Sequence, residues 1–162
     1  MIKLSKKIEY SLMALKYMSS KPEGHLVTVR EICDDLKIPF DTVSKVMQNL
    51  NNNDLLSSVK GTRGGYTIVK DLRKVSFSDL SEIVEGKKNT MSCLTSKGTL
   101  CELHDHCNVI GPIDHLSRKV AELLSKLSIQ EILFGENTET CPIDMMGMTS
   151  KTLETEKEIV HD

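Results

Sequence analysis

Three cysteines, Cys93, Cys101 and Cys107, fall within fifteen residues of one another in a chain that holds only five. A free cysteine in a soluble protein is usually a small buried hydrophobe. These three instead share a segment with Asn89, Ser92, Ser96 and Gly98, which reads as a loop. Thiolates gathered on a polar loop suit convergence on a metal or an iron–sulfur cluster. Seven residues separate the first pair and five the second. These gaps are wider than the C-x₂₋₄-C pairs of structural zinc sites. A metal-free alternative stays open, in which two of the three thiols oxidise to a disulfide. His104 and His106 lie in the same segment and offer imidazole as a further ligand. Cys33 sits beside Ile32 and reads as core, and Cys141, before Pro142, reads as an idle surface thiol.

The elements that must position this loop are legible on either side of it. Ser5 opens a helix over 5–20, with Ile8, Leu12, Ala14 and Leu15 at helical spacing, and Pro22 and Gly24 end it. Thr28 followed by Glu31 is a capping-box pattern that starts a second helix over 28–36. After Pro39 a third helix runs from about 40 to 52, with Val43, Val46, Met47 and Leu50 as its inward stripe. Its other face carries Asp41, Thr42, Ser44, Lys45 and Gln48. Two short β-forming runs then flank GTRGG, the signature of a hairpin, where Gly61, Gly64 and Gly65 are free to take positive φ. A fourth helix spans 76–84 and stops at Gly86. Beyond the cysteine loop, Val109, Ile113, Leu116, Val120, Leu123 and Leu127 recur at alternating spacings of four and three along a helix over about 109–127. That is a heptad seam, and a seam wants a partner helix, so a homodimer is expected. Residues 128–134 form a short last helix, and 135–162 read as a flexible tail.

The expected fold is therefore mainly α with a small β-hairpin. A winged helix-turn-helix domain occupies 1–86, the cysteine loop 87–107, and the dimerisation helix with its short terminal helix 108–134. The outward residues of the third helix are hydrogen-bonding types that reach base edges and phosphates, so Thr42, Ser44, Lys45 and Gln48 are candidate DNA contacts. Asp41 repels phosphate, although a carboxylate accepts from cytosine. At the hairpin tip, Lys60, Thr62 and Arg63 are placed to rest on phosphate or enter the minor groove.

Composition agrees with a polyanion partner. Net charge is −2, yet residues 1–75 hold 13 Lys and Arg against 8 Asp and Glu, and residues 76–162 hold 8 against 15. A basic front half suits a double-stranded DNA partner. With no Trp, three Phe and three Tyr, the core must be aliphatic. Glu9, Ser11 and Lys16 interrupt the first apolar stretch, so it reads as neither a signal segment nor a membrane span, and a cytoplasmic protein is expected. No Ser–His–Asp arrangement, Walker loop or dinucleotide fingerprint suggests an enzyme. GTRGGY sits in a hairpin, does not open a helix, and so is no phosphate cradle.

Several segments together resemble the Rrf family of bacterial winged-helix regulators. They are Leu4-Ser5-Lys6, the stretch Asp54-Leu55-Leu56-Ser57-Ser58-Val59-Lys60-Gly61 leading into Arg63-Gly64-Gly65-Tyr66, then Ile83-Val84-Glu85-Gly86 and Ile129-Gln130-Glu131-Ile132-Leu133. The resemblance covers roughly residues 1–134. It implies a homodimeric regulator, mostly a repressor, on a near-palindromic operator. It also implies an iron–sulfur cluster (2Fe–2S or 4Fe–4S) held by Cys93, Cys101 and Cys107, though the first gap is longer than the family usually shows. Three thiolates leave the set one ligand short. In one subgroup a histidine three positions past the last cysteine completes it, and here that position is Ile110. In the nitric-oxide-sensing subgroup an acidic residue early in the first helix, from the other subunit, does so, and Glu9 matches it. The signal implied is nitric oxide, redox state or iron–sulfur status. A member switched by cysteine oxidation or a small effector is the alternative.

Overall fold

A computed structural model of the chain describes residues 4–22, 24–61, 63–86 and 106–135. In chain order the elements are α1 (Lys6–Ser19), α2 (Val29–Leu36), α3 (Phe40–Asn52), β1 (Leu56–Val59), β2 (Gly65–Ile68), a 3-10 turn (Leu72–Lys74), α4 (Phe77–Glu85), α5 (Ile110–Lys126) and α6 (Ile129–Phe134). No helix among the described residues is long and apolar enough to cross a membrane.

Helix starts follow from local side-chain chemistry. The hydroxyls of Ser5, Thr28, Ser76 and Ser128 accept from the backbone N–H three residues on, each satisfying a donor the helix leaves orphaned. Only Ser76 with Asp79 makes the reciprocal box. The expected box of Thr28 and Glu31 is half made, because the Glu31 carboxylate is engaged elsewhere, as described below. Between α2 and α3 the chain turns through Lys37, whose φ of 54° is left-handed and whose N–H bonds the Cys33 carbonyl.

The core joins α1 through α4 by aliphatic residues. Leu15, Ile32, Val43, Val46, Met47, Leu50, Leu55, Leu56 and Leu80 are buried. The front domain, read from sequence as 1–86, is completed by a later segment. Ile129 and Leu133 of α6 belong to the same core, and two backbone bonds, Phe77 N–H to Leu127 C=O and Ile129 N–H to Val75 C=O (both 2.8 Å), stitch the end of α5 to the start of α4. The physical reason is burial: an aliphatic core this small gains from two more apolar side chains, and α6 has nowhere else among the described residues to hide them.

Asp79 offers a check on the capping box. The Ser76 backbone N–H and then its hydroxyl hold the Asp79 carboxyl below the usual carboxylate range. A lowered folded-state pKa stabilises above the ordinary carboxylate pKa, and that contribution is lost as pH falls through the folded value. Asp79→Ala is therefore expected to lower stability at pH 7 by about 0.5 kcal/mol, the low end for an exposed cap. Urea melts should show the gap closing below about pH 4; a gap independent of pH would mean that the carboxylate charge plays no part.

Candidate nucleic-acid interface and cysteine site

The candidate reading face is built by the register of α3. Val43, Val46, Met47 and Leu50 are wholly buried against the core, which turns the opposite side of the helix outward. There Asp41, Lys45 and Gln48 are exposed, and Thr42 and Ser44 are half-buried at the margins. Two rows run along this side at i, i+4 spacing: Asp41–Lys45, and Phe40–Ser44–Gln48. Phe40 is 48% exposed at the first position of the helix. Its N-cap is Pro39, which gives no side-chain cap.

β1 and β2 form an antiparallel wing, with Leu56 opposite Ile68 and Val59 opposite Gly65. Its tip carries Lys60 and Arg63, both exposed, while Thr62 lies outside the described residues. The three glycines, all free to take positive φ, serve different ends. Only Gly61 takes it, at 120°. A Cβ on Gly64 would stand 2.2 Å from the Val59 carbonyl oxygen, and one on Gly65 would stand 2.9 Å from that of Val27. Those two are required for close backbone approach. The second approach lets Val27 and Tyr66 exchange backbone hydrogen bonds of 2.9 and 2.8 Å, which ties the wing to the segment just before α2.

A polar network then fixes α2 on α1. The Tyr17 hydroxyl lies 3.0 Å from Glu31 Oε1 and 2.5 Å from Asp35 Oδ2, so its one hydrogen is shared. Lys21 Nζ stands 3.3 Å from Glu31 and 4.2 Å from the centroid of the Tyr17 ring. Burial works against the Glu31 charge, but Tyr17, Lys21 and the Thr28 backbone outweigh it and hold the carboxyl below its usual range. Sequence reading did not find this network, because Tyr17 and Asp35 are eighteen residues apart and neither sits in a motif.

Of the cysteine candidates, Cys93 and Cys101 lie outside the described residues, as do His104 and Cys141. Cys107 is a free, half-buried thiol three residues before the first residue of α5, and His106 beside it is exposed. Cys33 is buried, and burial, then the charge of Asp34, pushes its thiol up, which suits a core residue. Glu9 has a half-exposed side chain whose carboxylate pairs with Lys6. Ile110 opens α5.

α5 leaves much of its apolar side uncovered. It buries no residue fully; Val109, Ile113, Leu116 and Leu123 are 41–58% exposed, while Leu124, off the seam, packs against the core.

Comparison with known proteins places this architecture. The family model Rrf2, described as an iron-dependent transcriptional regulator, matches residues 4–134. The HTH-type transcriptional regulator NsrR of Shouchella clausii is 21% identical over 136 residues, 84% of this chain and 91% of the relative. A putative HTH-type regulator of Aquifex aeolicus is 28% identical over 137 residues, 84% and 94% respectively. Among solved structures, CymR, the global cysteine regulator of B. subtilis, superposes with a TM-score of 0.63 at 18% identity, covering 82% of this chain and 97% of that one. T. potens IscR does so with a TM-score of 0.58 at 17% identity, covering 82% and 86%. At these identities the superpositions show a shared fold.

Proposed function

We propose, from the premise that this chain belongs to the Rrf2 family of transcriptional regulators, that it is an iron–sulfur-dependent DNA-binding repressor. It acts as a homodimer in the cytoplasm and responds to nitric oxide, redox state or iron–sulfur status. The observation that carries the reading is the gathering of Cys93, Cys101 and Cys107 between α4 and α5, in a chain whose family is described as iron-dependent.

The donor set fits the group. Thiolates are the usual protein ligands of iron–sulfur clusters, and the chain offers three of the four that a cluster takes; of these, Cys107 is a free thiol that is not sequestered in the core. Glu9 of the partner subunit would supply the fourth donor, and its half-exposed carboxylate would have to leave Lys6 to do so. When bound, the cluster supplies iron that reacts with nitric oxide or oxidants. The rest of the work falls to the chain. Glu9 ligation across subunits would tie α1 to the partner's cysteine loop, and α1 holds α2 through Tyr17, Glu31 and Asp35. A change at the loop would then move the two reading helices relative to half-sites whose spacing is set by the duplex. On the DNA, Thr42, Ser44, Lys45 and Gln48 face base edges and nearby phosphates. Lys60, Thr62 and Arg63 engage the backbone or minor groove at the wing. The open apolar side of α5 supports a dimer.

Protein purified without oxygen is expected to be coloured and to contain iron and acid-labile sulfide. A colourless, iron-free protein that binds its operator would overturn the cluster and leave the second reading, a thiol-switched regulator. That alternative is favoured by one feature, Ile110, a residue unable to ligate where one subgroup has histidine. Glu9→Ala is expected to bleach or destabilise the cluster with the fold intact by circular dichroism. Unchanged iron content and spectrum would remove Glu9 from the site.

A further inference from the structure

The first turn of α3 carries two side chains that suit no phosphate. Phe40 is nearly half exposed although large and apolar, and Asp41 beside it is exposed and anionic. The core has no use for the exposed part of Phe40, since Val43, Val46, Met47 and Leu50 already fill the buried side of the helix. Nor does the face as a whole avoid DNA, because Lys45 follows one turn after Asp41 and the wing adds Lys60 and Arg63. The cations are thus set back from the helix start, and the first turn is left to groups that match base edges.

In a helix-turn-helix the N-terminal residues of the reading helix contact base edges in the major groove. The apolar group displayed there is the thymine 5-methyl, which side chains such as Phe cover. Phe40 shares its row with Ser44 and Gln48, so it stands at the leading end of a line of hydrogen-bonding side chains. We infer that Phe40 is a specificity-determining residue that packs on the 5-methyl group of one thymine in each operator half-site. This rests on the reading of α3 as the DNA-reading helix, and it adds a base preference which that reading does not contain.

The test uses the full chain and a duplex enriched by it from a randomised pool. Each thymine of that duplex is replaced in turn by deoxyuridine, which removes the methyl and leaves the hydrogen-bonding edge unchanged. One position per half-site is expected to weaken binding about fourfold, the effect of one buried methyl at ~0.8 kcal/mol. Phe40→Ala should bind the thymine duplex more weakly and be indifferent to the substitution, whereas Phe40→Leu should keep the sensitivity. If deoxyuridine is tolerated everywhere, or if Phe40→Ala is as sensitive as the unaltered chain, Phe40 reads no methyl while α3 remains the reader. If the unaltered chain enriches no sequence, both the inference and the reading beneath it fall.

Discussion

A chain carrying Leu116→Glu and Leu123→Glu is expected to sediment as a monomer and to lose about a hundredfold or more in affinity for a two-half-site duplex. Both leucines are exposed, at 58% and 57%, on a helix that buries no residue fully in its own chain. Truncating or charging them therefore removes nothing from the core of one subunit. Across the proposed paired seam the same residues would face apolar neighbours, where each buried leucine is worth about 1.5–3 kcal/mol and an unpaired carboxylate costs more. Two reading domains on one dimer also raise each other's effective concentration at the operator, and that gain disappears in a monomer. Sedimentation, circular dichroism and operator titration together check this result. A variant that remains dimeric would place the interface elsewhere; a monomer with undiminished affinity would mean that one domain suffices.

Leu50→Ala is expected to lower folding stability by about 3–4 kcal/mol, from the lost transfer energy and the cavity left behind. That is a large part of the ~5–15 kcal/mol available to a domain. Leu50 is fully buried on the inward side of α3, and its carbonyl accepts from the Leu55 N–H at 3.0 Å where the helix gives way to the wing. Substitution empties an inward contact that helps set the rotation of α3. Urea unfolding measures the effect, and a loss under about 1 kcal/mol would mean that the surrounding core closes over the gap.

Helices α1 to α4 were legible because their signals are local. For α1, α2 and α4 a serine or threonine cap, a 3.6-residue apolar period and a Pro or Gly beyond the end all lie within one window of sequence; α3 showed through its apolar period after Pro39, and the wing announced itself through GTRGG. Contacts between distant segments were not legible. Nothing near Glu31 says that Tyr17 will draw its carboxylate away from the capping box. Nothing near Gly65 says that the Val27 backbone will lie against it. The 3-10 turn Leu72–Lys74 is too short to show a period. The heptad seam was legible as an apolar stripe, but that the described residues leave it uncovered is a property of how α5 packs on α4. For the cysteines, residue type and spacing were readable, while the side chain completing the set was not, which is why Glu9, His104 and His106 all stood as candidates.

The stitching of Leu127 and Ile129 onto the start of α4 has a consequence for synthesis. Chains emerge from the ribosome N-terminus first, and the reading head lacks two of its buried side chains until Ile129 and Leu133 have cleared the exit tunnel. A nascent fragment that already displays α3 and the wing is thus still unfinished, and by the time it is finished the whole of α5 is out as well. Completion of the core that holds α3 and release of α5 are thereby put on one clock.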